Sequence, residues 1–216
     1  MSFGLSARSS AVLGFYTAAL LFAGVASSQN LATNGDFDLS TDGWAGTTPP
    51  SFLAEDWQAD PASGSLQLVN DAVTASSIQV SQCVSLGATD PVVFEAALRS
   101  SLSLEATGRI RIVVAWHDQE GCDPSSVIFP ILFPPGLTLD APQDWTLVTS
   151  APVSPPVGAV AADVQLTATK TSAAGSLTTD FDAIYVPEPG AAPAGALGAF
   201  TLLALRRRLR DATGPR

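Results

Sequence analysis

The sequence predicts an all-β domain, an antiparallel β-sandwich of the jelly-roll type, between two terminal segments that lie outside the fold. Residues 92–99, 109–117 and 160–167 alternate apolar and polar side chains with the period of two that is typical of half-buried strands. Shorter candidate strands lie at residues 65–69, 77–84, 144–150 and 179–186, separated by clusters of Gly, Pro, Asp and Ser. The region contains no convincing helical periodicity, and about eight strands without helices favour two packed sheets.

The first 28 residues are predicted to be a secretory signal peptide. Arg8 precedes an uncharged, largely apolar run over residues 11–25, and the small residues Ala26, Ser27 and Ser28 follow it. This order of basic, apolar and small segments predicts export, with cleavage between Ala26 and Gln29. The alternative is a permanent membrane anchor, for which the apolar run is short.

The exported region is strongly acidic. Residues 29–189 contain 19 Asp or Glu and 4 Lys or Arg, a net charge of about −15. A domain with this charge is repelled by nucleic acid and by anionic lipid, because both are polyanions. We therefore expect no nucleic-acid partner.

The only two cysteines, Cys83 and Cys122, both lie in the exported region. In an oxidising compartment an even pair of cysteines is more often a disulfide than a metal site or a nucleophile. We expect a Cys83–Cys122 disulfide, with two free thiols as the alternative.

The C-terminal segment, residues 187–216, has three parts. It begins with Pro187, Glu188 and Pro189, continues with an uncharged run over residues 190–205, and ends in a cluster of arginines at positions 206, 207, 208 and 210. The prolines hold the chain extended, and the run is slightly short for a helix that spans a bilayer core. Arginines that follow a span stay on the cytoplasmic side.

This order resembles the PEP-CTERM sorting signal of Gram-negative bacteria. The resemblance implies a single hydrophobic helix that anchors the protein transiently in the inner membrane. It also implies that an exosortase, a transpeptidase-like membrane enzyme, processes the chain at residues 187–189. We then expect the mature protein at the cell surface or in the extracellular matrix. Residues 211–216 form a longer tail than such signals usually carry, and a plain membrane anchor with a proline linker is the alternative.

A second resemblance covers residues 30–186. An Asn-Gly-x-Phe-acid opening, a Gly-Trp soon afterwards and an Asp in the last candidate strand resemble the galactose-binding-like sandwich of carbohydrate-binding modules of the family 4 and 9 type. The matching residues are Asn34, Gly35, Phe37, Asp38, Gly43, Trp44 and Asp182. The resemblance implies a polysaccharide as the partner, bound without catalysis.

The last candidate strand also indicates a cation site. Strict alternation would place Asp182 on the same face as Ile184 and Val186, where an unpaired carboxylate would be costly. The resemblance implies a structural calcium where the first and last strands meet, bound by Asp38 and Asp182 and also by Asp36. The alternatives are an arginine partner for Asp182 or simple exposure.

The expected ligand-binding residues are one tryptophan and one polar face. Trp57 lies in a loop and is the best candidate for stacking on a sugar, whereas Trp44, Trp116 and Trp145 are expected to pack in the interior. The polar face of two neighbouring strands is expected to line the concave sheet, and its residues are Glu95, Arg99, Arg109, Arg111 and His117. The alternative for this face is a solvated lattice of salt bridges.

Three classes of function remain open. An enzyme is disfavoured, because His117 is the only histidine and no Ser-His or Cys-His constellation with a known spacing appears in the sequence. A pair of carboxylates could still serve a glycoside hydrolase or a lyase. The other two classes are a non-catalytic carbohydrate-binding module, which the resemblance favours, and a structural surface or matrix protein without a defined ligand.

Overall fold

The structure is a computed structural model that describes residues 29–87, 90–103, 105–132 and 137–188, and for residues 129–132 it describes the backbone only. The predicted signal peptide, Pro189, the predicted hydrophobic helix and the arginine cluster lie outside the described residues. Among the described residues, no helix has the length and apolar character that crossing a bilayer requires.

The described chain forms two antiparallel sheets, and its only helical element is a short 3₁₀ turn at Pro124–Ser126. The first sheet, called sheet 1, has the order β1 (Ala45–Gly46), β4 (Ser76–Ser85), β10 (Ala161–Lys170), β6 (Gly108–His117) and β7 (Val127–Leu132), and β8 (Thr138–Asp140) also pairs with β6. Sheet 2 has the order β2 (Ser51–Leu53), β3 (Ser65–Asn70), β11 (Leu177–Tyr185), β5 (Glu95–Leu102) and β9 (Gln143–Thr149). The predicted all-β antiparallel sandwich is confirmed.

The core lies between the two sheets and follows the predicted alternation. In β6 the residues Ile110, Ile112, Val114 and Trp116 are all buried in the core cluster. Sheet 2 contributes apolar side chains from its own inner face, namely Leu66, Leu68, Leu98 and Phe181. Trp44 and Trp116 are interior, as expected, and each ring lies beside a phenylalanine, with centroids 5.9 Å from Phe37 and 6.3 Å from Phe94 respectively.

A register shift in β11 corrects one premise of the sequence analysis. Phe181 pairs with Leu98 and Asp182 with Ala97, but Tyr185 pairs with Glu95, so the alternation is interrupted between Asp182 and Tyr185. Ala183 has a φ of 48°, the left-handed conformation found at bulges. Asp182 therefore does not share a face with Ile184 and Val186, which are in the core. It lies on the outer face of sheet 2.

The predicted disulfide is confirmed. Cys83 and Cys122 are joined, with their Cα atoms 5.7 Å apart. Cys83 is in β4 and Cys122 is in the loop after β6, and β10 lies between these two strands. The loop over residues 118–126 therefore reaches across β10, and Ala161 at the start of β10 is fully buried.

Candidate functional site

The five residues of the predicted polar face do not form one surface. Glu95 and Arg99 are in β5, on sheet 2, whereas Arg109, Arg111 and His117 are in β6, on sheet 1. The inner face of each sheet is apolar, so the polar faces of β5 and β6 point to opposite sides of the sandwich. The two strands follow each other in the chain, but they are not neighbours in a sheet.

The outer face of sheet 2 carries an ion-pair network around Arg99. The Arg99 guanidinium donates from Nε to Asp180 over 2.8 Å, and its Nη1 and Nη2 atoms pair with Glu55. Gln67 Nε2 donates to the other Asp180 oxygen over 2.9 Å. Hydrogen bonding to Glu55 raises the pKa of Arg99 above its ordinary value, and the same bond lowers the pKa of Glu55. The polar groups of this network therefore satisfy one another.

Trp145 and Glu95 also belong to this face, and their burial differs from what the sequence predicted. Trp145 is not part of the interior core; its partly buried ring lies on the outer face, 4.8 Å from the Arg99 guanidinium carbon. The pairing of β5 with β9 shifts register next to Trp145, because Leu98 pairs with Thr146 whereas Ser100 pairs with Gln143. Glu95 is partly buried, and burial raises the pKa of its carboxyl.

Trp57 also lies on the sheet 2 side. The loop that carries it folds over β11, and the Trp57 backbone N–H donates to Asp182 Oδ2 over 3.0 Å. Its ring is partly buried, and the indole N–H has no hydrogen-bond partner among the described residues. A single sugar ring cannot contact both Trp57 and the arginines of β6, because the sandwich lies between them.

An acidic pocket lies beside Trp57, with a volume of about 180 Å³. The expected cation ligands Asp36, Asp38 and Asp182 all line it. Its other lining residues are Asp56, Trp57, Gln58, Asp60, Ser63 and Ala183, and none of the described residues that line it is basic. The sequence analysis did not identify Asp56 and Asp60, although the acidic residues on both sides of Trp57 were a visible signal.

Burial and mutual repulsion change the acidity of this pocket. Burial raises the pKa of Asp182 to about 8. The hydrogen bond donated by the Trp57 N–H opposes this shift, and the hydrogen bond that protonated Asp182 donates to Asp56 adds to it. Burial and then the charges of Asp38 and Asp56 raise the pKa of Asp36. The pocket therefore disfavours its own negative charge, and a proton or a cation would relieve the repulsion.

The donor set suits a hard divalent cation, because carboxylate oxygens are the ligands that calcium prefers. Asp56 and Asp182 are within hydrogen-bonding reach of each other. In the part of the chain that the structure describes, no three His, Cys, Asp or Glu side chains converge closely enough to hold a metal as they are placed. Calcium binding here would require Asp36 or Asp38 to turn toward the Asp56–Asp182 pair.

The outer face of sheet 1 is a second, separate candidate. The register aligns polar side chains of β4, β10 and β6 in cross-strand rows. The rows are Ser77–Thr169–Arg109, Gln79–Thr167–Arg111 and Ser81–Gln165–Val113. The Ser77 and Thr169 hydroxyls are 2.9 Å apart, and Arg109 pairs with Asp140 over 2.8 Å. The hydroxyl, amide and guanidinium groups of these rows share the outer face of sheet 1, on which Thr167 and Val113 are buried, at 7% and 6% exposure.

His117 does not contribute an accessible ring to this face. It is only 2% exposed, and its Nδ1 is 2.9 Å from the Ser126 hydroxyl, within the loop that reaches across β10. Arg109 and Arg111 remain as predicted residues on sheet 1. Gln79, Gln165 and Thr169 were not predicted as binding residues, although their positions alternate with core residues in β4 and β10.

Comparisons with known proteins support the fold. No protein-family profile matches the chain, and no curated protein sequence matches it. The enzymatically active domain of bacteriophage CBA120 tailspike protein 4 superposes with a TM-score of 0.50 at 14% identity, over 73% of this chain and 21% of that one. The shared feature is the fold.

Several other structural neighbours are carbohydrate-binding modules. Family 16 carbohydrate-binding module 2 superposes with a TM-score of 0.49 at 18% identity, over 74% of this chain and 100% of that one. A xylan-binding domain of carbohydrate-binding module family 22 superposes with a TM-score of 0.49 at 14% identity, over 74% and 96%.

Proposed function

We propose that the sandwich domain is a non-catalytic carbohydrate-binding module and that the outer face of sheet 1 binds a neutral or weakly charged polysaccharide. The observation that carries this proposal is the set of cross-strand rows on β4, β10 and β6. Side-chain hydroxyl and amide groups both donate and accept hydrogen bonds, as sugar hydroxyls do. The net charge of about −15 in residues 29–189 disfavours strongly acidic glycans.

Sheet 2 is the weaker candidate for polysaccharide. Arg99 is held there by two carboxylates, Asp180 and Glu55, and Gln67 also bonds to Asp180, so a sugar would have to break a connected network. On sheet 1 the hydrogen bonds join separate pairs, namely Ser77 with Thr169, Arg109 with Asp140 and Gln165 with Asp163. Trp57 is a separate candidate for stacking on a sugar, because it lines the acidic pocket. The two candidate surfaces lie on opposite sides of the domain, and single substitutions can therefore distinguish them.

The test is a pull-down of the purified protein on soluble and insoluble polysaccharides. We expect weak single-site affinity, on the order of micromolar to millimolar. Arg111→Ala and Gln165→Ala should weaken binding several-fold. Gln67→Ala is the matched control, a strand glutamine on the opposite outer face, and Trp57→Ala tests the alternative surface. Loss of binding in Trp57→Ala alone would assign the site to the loop.

The other two functional classes have their own readouts in this assay. If the wild-type protein retains no polysaccharide, the structural-protein alternative is favoured. Release of reducing ends during incubation would instead identify a glycoside hydrolase, and unsaturated products would identify a lyase.

We further propose that calcium binds in the acidic pocket, with Asp38 and Asp182 as ligands and Asp36 as a further one. The support is the carboxylate lining and the raised pKa of Asp182. Calcium should raise the melting temperature of EDTA-treated protein, and Asp182→Asn should abolish most of that rise. An unchanged melting temperature on adding EDTA and then calcium would contradict the site.

The terminal segments support a proposal about location. We propose that the protein is exported, anchored transiently in the inner membrane and processed by an exosortase at residues 187–189. It would then reach the cell surface or extracellular matrix of a Gram-negative bacterium. The mass of the mature protein in its own host tests this proposal, which requires loss of the arginines at positions 206–208.

A further inference from the structure

The two ends of the domain are paired with each other. Asn30 and Pro187 form an antiparallel bridge. The Leu31 N–H donates to the Val186 carbonyl over 2.7 Å, and the Glu188 N–H donates to the Gln29 carbonyl over 3.2 Å. The first residues of the predicted mature chain therefore act as a short strand beside the chain that follows β11.

The Asn30 side chain reinforces this pairing. Its Nδ2 donates to the Ile184 carbonyl over 2.8 Å, and its Oδ1 accepts from the Val186 N–H over 2.9 Å. Oδ1 also accepts from the Ala32 N–H over 3.1 Å. One amide side chain thus bonds the backbone on both sides of Tyr185, close to the bulge where regular strand pairing is interrupted.

Accessibility changes sharply along the chain that leaves β11. Ile184 and Val186 are at most 1% exposed, Pro187 is partly buried, and Glu188 is exposed. Proteases cut where the backbone can leave its own hydrogen bonds and extend into an active site. The backbone up to Pro187 does not meet this condition, because residues 29–31 already occupy its pairing groups.

We propose that residues 29–31 form a clamp that sets the boundary of C-terminal processing. Enzymes that remove the tail then cut on the C-terminal side of Pro187, so that the mature protein keeps Val186 and Pro187. This inference rests on the proposed sorting only for the identity of the enzyme, a membrane peptidase that recognises the Pro-Glu-Pro sequence at residues 187–189. The clamp itself is a property of the folded domain.

Limited proteolysis tests the clamp without the host enzyme. The full chain in mild detergent is treated with a protease of broad specificity, and intact mass gives the C-terminus. Trimming of the wild type should stop at Pro187 or beyond it. Asn30→Ala and Leu31→Pro should increase the rate of cutting before Pro187 roughly tenfold, because each removes hydrogen bonds of the clamp.

Asn34→Gly is the matched control. The Asn34 side chain donates to the carbonyls of Ser40 and Asp42, not to the C-terminal chain, and its φ of 52° suits glycine. The control should stop at the wild-type position. Equal cutting rates before Pro187 in wild type, Asn30→Ala and Leu31→Pro, all with cooperative melting, would overturn the clamp.

Hydrogen exchange of the wild type provides a readout that needs no variant to fold. The amides of Leu31 and Val186 should exchange slowly, and fast exchange at both would overturn the clamp. In the host, a mature chain that ends before Pro187 would also contradict it. An intact arginine cluster would contradict only the sorting proposal, since proteolysis and exchange still decide the clamp.

Discussion

Removing the disulfide should destabilise the domain without unfolding it at room temperature. The perturbation is the double substitution Cys83→Ser with Cys122→Ser, which leaves two small polar groups in place of the bond. The bond closes a loop with a sequence separation of 39 residues. In the chain-entropy model, closing a loop of this length stabilises the folded state by on the order of 3 to 4 kcal/mol.

The strand ladders explain why the fold should survive this loss. β10 pairs with β4 and with β6 over ten residues each, and these ladders do not depend on the loop at residues 118–126. A loss of 3 to 4 kcal/mol corresponds to a decrease in the melting temperature of about 10 °C for a domain of this size.

Urea denaturation of the wild type and the double variant measures the difference in free energy of unfolding directly. The loop at residues 118–126 should also become sensitive to protease in the variant, because its attachment to β4 is lost. A decrease in stability below about 1 kcal/mol would refute the reasoning. It would mean that the unfolded chain is already restricted, or that the disulfide is strained in the folded state.

Three further predictions concern single positions. Gly35→Ala should lower the free energy of unfolding by more than about 2 kcal/mol, because an added Cβ would lie 2.1 Å from the Ile184 carbonyl oxygen. Gly87→Ala is the control, since Gly87 has open space around it, and denaturation should show almost no change in its stability. Lys170→Met should lower the free energy of unfolding by about 1 to 3 kcal/mol. The buried Lys170 Nζ donates to the carbonyls of Ala72 and Gly175, and both carbonyls would lose this partner. In EDTA, the melting temperature should fall as the pH rises from about 4 to about 8, because folded Asp182, with a pKa of about 8, keeps a proton that the unfolded carboxyl has lost. Asp182→Asn should remove most of this dependence and leave the contributions of Asp36 and Glu95, whose pKa values are also raised. A flat profile in the wild type would contradict the raised pKa of Asp182.

Features that depend on neighbouring residues in the chain were predictable. Ile110, Ile112 and Val114 are buried while Arg109 is exposed, because alternation along a strand is a local property. The disulfide was predictable as well, since two cysteines in a region that was predicted to be exported leave one pairing.

The candidate site was predicted only in part. The sequence analysis identified Asp36, Asp38 and Asp182, and all three line one pocket. It did not identify Asp56, because Asp56 reaches the pocket only when its loop folds over β11. The parity argument for Asp182 was wrong at the bulge, although the side chain is buried, at 1% exposure. The loop that carries Trp57 covers it.

The sequence by itself determined that this chain contains an acidic β-domain with alternating strands and one possible cysteine pair, because charge, cysteine count and the period of two are properties of single residues and their near neighbours. Only the tertiary structure decided which sheet each strand joins. β5 pairs with β11 and β6 pairs with β10, so Arg99 and Arg109 lie on opposite sides of the domain although ten positions separate them. A strand pairs with the partner that gives the best combination of burial and hydrogen bonding, and that partner lies far away in the chain. The sequence pattern within one strand therefore does not specify which strand it pairs with.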